Sequence, residues 1–331
     1  MQQFLRRIAF PFSLIYALVV LIRNFLYDNG FFKSISYKTP IVCVGNLSVG
    51  GTGKTPMIEY LIRLYEGRTV AVLSRGYKRK SSGFLLASPE SSVTDLGDEP
   101  YQLHKKFPDI FVAVDADRRN GIVELEKRVK PDVILLDDAF QHRKVKPKYS
   151  ILLTTYNNLY VDDWYLPTGD LRDSKLEAGR AEMIIVTKCP EGLSLEKKTE
   201  VSQKLKPNPT QKVLFCSLVY NDVFKNPNSS LAPSDIKGVN TALVTGIASP
   251  EPLVSHLKNL GIDFQHFRYG DHHYFSDQEI EKFKDFKIVL TTEKDFTRLE
   301  SKLSNVFYLE IAHSFNEDDY ETLRRTMIEL I

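Results

Sequence analysis

Cysteine is scarce: the 331-residue chain has only Cys43, Cys189 and Cys216, widely spaced and without a CxxC pair. An odd, scattered set excludes a disulfide framework and a zinc knuckle, and it fits a reducing, cytosolic setting. A surplus of one charge sign is also lacking. The 44 Lys and Arg stand against 42 Asp and Glu, a net +2 that leaves no electrostatic footprint for duplex nucleic acid. No apolar run reaches the roughly 20 residues of a membrane-spanning helix, and there is no internal repeat or low-complexity tract. With 43% hydrophobic and 26% charged residues the composition is ordinary for a globular chain, which excludes wholesale disorder and a polytopic membrane protein. At roughly 100–200 residues per domain, the length predicts two domains.

What is present begins with an apolar amino terminus. Residues 8–22 (IAFPFSLIYALVVLI) are 15 residues without a charge. As a helix they would cover about 22 Å of a hydrocarbon core of about 30 Å. Extending the run to Tyr27 buries Arg23, and no small-residue cleavage site follows, which counts against both a spanning helix and a signal peptide. Residues 1–38 carry five basic side chains, Arg6, Arg7, Arg23, Lys33 and Lys38, against the single acid Asp28. That local surplus predicts a helix lying in the cytoplasmic leaflet with its basic groups near anionic head groups. The alternative is a first helix packed on the protein's own core.

Beyond Lys38, short β-branched runs at 41–44, 69–73, 110–114, 133–136, 151–154 and 183–186 alternate with helical stretches. This alternation predicts an α/β fold with a parallel sheet and helices on both faces. Residues 220–238 (YNDVFKNPNSSLAPSDIKG) have the Pro, Asn and Ser content of a linker. After it come strand candidates at 241–245, 288–291 and 306–309, with helical patterns at 251–260 and 277–284. The division expected is an apolar, basic segment 1–38, a core 39–219, a linker 220–238 and a smaller α/β unit 239–331.

Residues 41–56 (IVCVGNLSVGGTGKTP) read as a strand, a glycine-rich turn and a helix start, the mechanical content of a P-loop. Backbone N–H groups of Ser48, Val49, Gly50, Gly51, Thr52 and Gly53 can surround phosphate oxygens. Lys54 can reach the β and γ phosphates, and the Thr55 hydroxyl can ligate Mg²⁺. Ser48 stands where the usual pattern opens with Gly. Such a site needs an acid at the end of a neighbouring buried strand, and VILLDD (133–138) supplies Asp137 and Asp138. Adjacent strand side chains diverge, so at most one of the pair need touch the metal directly. The guanine-reading [NT]KxD pattern fails at Thr187-Lys188-Cys189-Pro190, which points away from GTP.

The motifs SVGGTGKTP, SRGY, GDEP, LDDAFQH, LPTGDLR, GDHHYF and TEKD occur in this order behind the apolar amino terminus. Together they resemble the tetraacyldisaccharide 4'-kinase family, the lipid A 4'-kinases of Gram-negative bacteria. The resemblance spans nearly the whole chain. It implies a P-loop kinase fold with ATP and Mg²⁺ as cofactors. The implied reaction is phosphorylation of the 4'-hydroxyl of an acylated glucosamine disaccharide 1-phosphate to lipid IVA, on the cytoplasmic face of the inner membrane, with no obligate protein partner.

A sugar hydroxyl attacking a γ-phosphate needs a proton acceptor within reach, and Asp98 of GDEP is the candidate. His272 resembles the family's partner to that carboxylate; their contact would have to bridge the two α/β units. Arg118 and Arg172 resemble the family's active-site arginines, fit to grip phosphate, with Arg119 able to exchange roles with Arg118. Tyr77, Glu99, Gln141, His142 and Glu293 are further candidates, with Lys294 and Asp295 divided between function and salt-bridged structure. Two other readings fit parts of the pattern: a soluble P-loop ATPase or small-metabolite kinase, and a non-catalytic nucleotide-dependent binding module.

Overall fold

The computed structural model describes Arg6 and residues 8–331; residues 1–5 and Arg7, and with them the start of the 1–38 segment, lie outside the described residues. The strands are β1 (Ile41–Asn46), β2 (Val70–Ser74), β3 (Leu85–Leu86), β4 (Phe111–Val114), β5 (Val133–Asp137), β6 (Tyr149–Thr155) and β7 (Met183–Thr187). They continue with β8 (Lys212–Lys225), β9 (Ser230–Leu231), β10 (Thr241–Thr245), β11 (Gln265–Arg268), β12 (Ile288–Thr292) and β13 (Val306–Phe315). The helices are α1 (Phe10–Asp28), α2 (Lys54–Leu64), α3 (Val93–Leu96), α4 (Asp98–Lys106), α5 (Arg118–Arg128) and α6 (Leu195–Leu205). After them come α7 (Pro233–Ile236), α8 (Glu251–Asn259), α9 (Asp277–Phe283), α10 (Glu293–Leu299) and α11 (Glu317–Ile328).

The strand order is β11-β10-β12-β13-β8-β7-β6-β1-β5-β2-β4-β3, with β9 on β8. Pairing is parallel throughout except at β3/β4, β8/β9 and β8/β13. The core strands are apolar along their whole length because both faces are covered. Ile41 and Cys43 of β1 join one buried cluster, while Val42 and Val44 join the cluster on the opposite face. The parallel order puts β5 directly beside β1, with Val44 opposite Asp137, so the phosphate loop and the acidic pair leave the sheet side by side.

The two halves of the chain are joined by strand rather than by linker. Residues 212–215 of β8 pair with β7, and residues 216–225 pair antiparallel with β13. The segment read as a linker is thus ordered: Phe224 is fully buried, Ser230–Leu231 folds back on β8, and Pro233–Ile236 is helical. Its polar composition is spent in a tight turn, where the Asn226 side-chain oxygen accepts from the backbone N–H groups of Asn228 and Ser229.

Helix α1 is amphipathic in an inverted sense. Its inward stripe is polar: Ser13 donates to Thr168, Tyr16 donates to the Arg172 carbonyl, and Arg23 and Asn24 both hold Asp173. Its outward face carries Phe12, Ile15 and Val19 at 66%, 61% and 62% exposure, with Leu14, Leu18 and Ile22 beside them. The helix therefore rests on the core by this polar stripe and leaves its apolar face exposed, the reverse of an ordinary core-packed helix.

Candidate active site

The loops that follow β1, β2, β4 and β5 all open at the carboxyl ends of parallel strands, where open α/β sheets gather their ligands. In the phosphate loop, Gly50 and Gly53 have φ of +111° and +87°, a region L side chains avoid. Ser48, at the position usually glycine, donates to Asp163 at 2.9 Å, and Val49 N–H donates to the Asp170 carbonyl at 2.7 Å. The departure therefore moors the loop to the 163–171 segment. Pro56 sits in the first turn of α2, where no backbone donor is lost, and Thr55 lies beside Lys54 at the helix start.

Asn46, at the end of β1, organises the floor of this loop, and no motif reading singled it out. Its amide donates to Thr52 at 3.0 Å; its side-chain oxygen accepts from Arg172 at 2.5 Å and from Lys54 at 3.4 Å. Gln141 donates to its backbone carbonyl at 2.7 Å, so Gln141 braces the loop instead of facing into it. Lys188 of the failed guanine motif also comes to the loop: a Cβ on Gly51 would lie 3.9 Å from its ammonium.

The two acids are treated differently by their surroundings. Asp138 has φ of +47°, and its carboxylate is gripped by the fork of Arg172 and lies 3.7 Å from the Lys54 ammonium. Burial pushes its carboxyl up, but Lys54 and Arg172 outweigh burial and hold it below the ordinary value. Asp137 is buried and accepts only from Ser74, at 3.3 Å; its other oxygen has no partner. Burial first, then the Glu99 and Asp138 carboxylates, raise it well above the ordinary range. A buried carboxylate oxygen with nothing to accept is what a hard, oxygen-seeking cation would satisfy, so Thr55, Asp137 and Asp138 fit Mg²⁺. Among the described residues no cluster of three or more His, Cys, Asp or Glu side chains forms a cage, as suits an ion that takes a carboxylate or two plus phosphate oxygens.

Arg118 turns inward and Arg119 outward. The Arg118 guanidinium is buried, donates to the Asp115 carbonyl at 2.8 Å, and leaves Nε without a partner. Arg119 forks onto Asp117 and stays half exposed, so the two arginines have different surroundings. His142 is half-buried with its Nε2 unpartnered; burial, then the charge of Arg118, push its ring down to about 4.

The second unit brings its loops to the same place. His272, with φ of +61°, sets Nδ1 2.7 Å from Asp98 Oδ2 across 174 residues of sequence. Tyr77 packs edge-on against the His272 ring at 5.5 Å, and Lys294 Nζ lies 3.1 Å from its Nε2. Lys294 also lies 3.7 Å from Glu99 and 3.6 Å from Asp271. Arg298, absent from the motif reading, donates through Nε to Asp98 Oδ1 at 3.0 Å and through Nη2 to Oδ2. Burial raises the Asp98 carboxyl, but hydrogen bonds from His272 and Arg298 outweigh it and hold the group well below the usual carboxylate range. Glu293 does not join this cluster. It pairs with Lys106 at 2.7 Å, in a buried group that includes Glu59 and Glu310. Asp295 accepts from Gly246 N–H and Thr292, holding the start of α10.

A glycine-rich phosphate loop with strand-end acids beside it, together with an acid–histidine pair, is the equipment of a P-loop phosphotransferase. Comparison with known proteins gives the particular kind: the chain belongs to the tetraacyldisaccharide-1-P 4'-kinase family, whose model matches residues 5–329. A tetraacyldisaccharide 4'-kinase of Flavobacterium johnsoniae is 50% identical over 318 residues, covering 94% of this chain and 93% of that protein. The Bacteroides thetaiotaomicron protein of the same name is 46% identical over 311 residues, covering 88% and 82%. A crystal structure of LpxK from Aquifex aeolicus in complex with ATP superposes with a TM-score of 0.82 at 31% identity, covering 98% of this chain and 99% of that one.

Proposed function

We propose that this chain transfers the γ-phosphoryl group of ATP to the 4'-hydroxyl of an acylated glucosamine disaccharide 1-phosphate, giving lipid IVA in lipid A biosynthesis. Membership of the 4'-kinase family carries the reaction. The loop 48–53 cradles the phosphates with its backbone N–H groups, and Lys54 and Arg172 neutralise them. Thr55, Asp137 and Asp138 would hold Mg²⁺, which adds positive charge against the phosphate oxygens. Arg118, with a free Nε and no carboxylate in contact, grips anionic charge on nucleotide or acceptor. The acceptor hydroxyl gives its proton to the Asp98–His272 pair as its oxygen bonds to phosphorus, and ADP departs.

The acceptor is a lipid, and the inverted α1 supports work at a membrane surface. Its apolar face and the exposed Trp164, which packs on Phe10, enter the interface of the cytoplasmic leaflet while its polar stripe holds the kinase core. In this reading residues 1–38 contact the membrane, 39–219 form the kinase core, and 239–331 supply His272, with 220–238 and the β8/β13 pair joining the two.

The deciding experiment is transfer of labelled phosphate from γ-labelled ATP to the acylated disaccharide 1-phosphate in detergent micelles, beside a Lys54→Ala control. Labelled lipid with the native chain and none with the variant is the expected result. ATP binding without lipid labelling would move the acceptor to a soluble metabolite.

A further inference from the structure

Helices α4 and α10 come from different halves of the chain and lie antiparallel, tied at both ends by charge. Asp98, the first residue of α4, meets Arg298 in the last turn of α10; Lys106, the last of α4, meets Glu293, the first of α10. Each of the four charges also complements the dipole of its own helix. The two ends differ in one respect. The Lys106 end meets only carboxylates, Glu59, Glu293 and Glu310, whereas the Arg298 end grips the carboxylate that holds His272.

From this geometry we infer that Arg298 is a positioning residue of the phosphoryl transfer, orienting Asp98 so that the Asp98–His272 pair presents itself to the acceptor hydroxyl. The inference rests on the kinase reading above and adds a residue to it. Three contacts fix the guanidinium: the Asp98 fork, Asp295 Oδ1 at 3.2 Å and the His273 carbonyl at 3.2 Å. Asp295 is in turn held by Gly246 N–H at 2.8 Å, so the chain of contacts runs back to the end of β10. Asp98 cannot turn away from His272 without breaking two charge-assisted hydrogen bonds. Arg298 Nη2 also lies 3.4 Å from His272 Nδ1, so its charge bears on both members of the pair.

The other groups facing the pair are Tyr77 from the loop after β2, Glu99 from α4, Asp271 from the same loop as His272, and Lys294 from α10. The hydroxyl proton passes to the pair, the sugar oxygen bonds to the γ phosphorus, the bond to the β-phosphate oxygen breaks, and the pair later releases its proton to water. Removing a fixed cation from such a pair raises its affinity for that proton, so the acid limb of the rate profile moves to higher pH.

The test is the pH dependence of kcat and KM for Arg298→Gln and Arg298→Lys, with the His272 ring titration followed by NMR in the same chains. For Arg298→Gln we expect kcat to fall between about tenfold and about 100-fold, with KM for ATP changed by less than about threefold. The acid limb of the pair, read in the rate profile and in the ring signals, should move up by about half a pH unit or more. Arg298→Lys, which keeps the charge without the fork, should restore the limb but only part of kcat. An unchanged kcat and limb in Arg298→Gln overturns the inference. So does an equal loss of ATP affinity and kcat with an unmoved limb, which is what a purely structural role would produce. If the native chain binds ATP but labels no lipid, the kinase reading fails instead. The ring titration then still decides whether Arg298 acts on the pair.

Discussion

His313 Nε2 lies 2.9 Å from the carbonyl oxygen of Gly53, across 260 residues of sequence. The ring sits on β13, the strand that pairs with β8, and its Nδ1 lies 3.3 Å from Cys216 on β8. A buried imidazole thus props the last turn of the phosphate loop from behind.

Gly53→Ala tests that prop. The added Cβ would stand 2.8 Å from the His313 ring, at a φ of +87°. We expect a backbone and packing cost of about 1–3 kcal/mol and a loss of ATP affinity of about tenfold or more. Calorimetric titration with ATP checks it; native affinity would mean that the loop adjusts without the ring.

Asp98→Asn should lower kcat by about 100-fold or more while ATP binding persists, because the side chain acts on the proton and not on the nucleotide. Turnover close to native would remove Asp98 from the reaction.

Glu293 gives a pH signature unrelated to catalysis. Burial, then the neighbouring Glu59 carboxylate, raise its carboxyl to about 7. An acid whose pKa rises on folding takes up a proton in the folded state. Stability is therefore lost as pH climbs from about 4.3, the ordinary Glu value, and the loss is complete above about 7. Glu293→Gln should remove that pH-dependent loss. Unfolding midpoints at pH 5.5 and 8 check it: the variant should gain on the native chain at pH 8. Parallel curves for the two proteins would count against this account of the buried group.

The outward face of α1 is open to a similar test. Replacing Leu14, Leu18 and Ile22 with Ser removes side chains that are largely exposed. The unfolding free energy should change little, within about 0.5 kcal/mol per site, while the fraction floating with anionic liposomes falls steeply. Undiminished flotation would place membrane contact elsewhere on the molecule.

The phosphate loop, the strand-end acids and the alternating α/β pattern were legible in the sequence because each is written in contiguous residues. A glycine-rich turn between a strand and a helix needs only its own backbone to shape a phosphate cradle, and an apolar run of five or six residues needs only two covered faces to become a buried strand. Other features depend on what is folded against them. Composition marked 220–238 as a linker, yet pairing with β13 holds residues 220–225 as strand. Periodicity could mark α1 as apolar but not show that its few polar side chains face inward, since that depends on Asp173 and Thr168 about 150 residues away.

Arg298 and Asn46 show the same limit. An arginine in a helix and an asparagine at a strand end carry no local mark of function. They become parts of a site only when the sheet order places β1 beside β5 and the β8/β13 pair brings α10 onto α4. The sequence by itself determined the nucleotide loop, the acids and the class of fold, through interactions a few residues in range. Only the tertiary structure decided how charges 200 residues apart meet at Asp98, because that contact follows from the β8/β13 pairing that sets the two halves of the sheet beside each other.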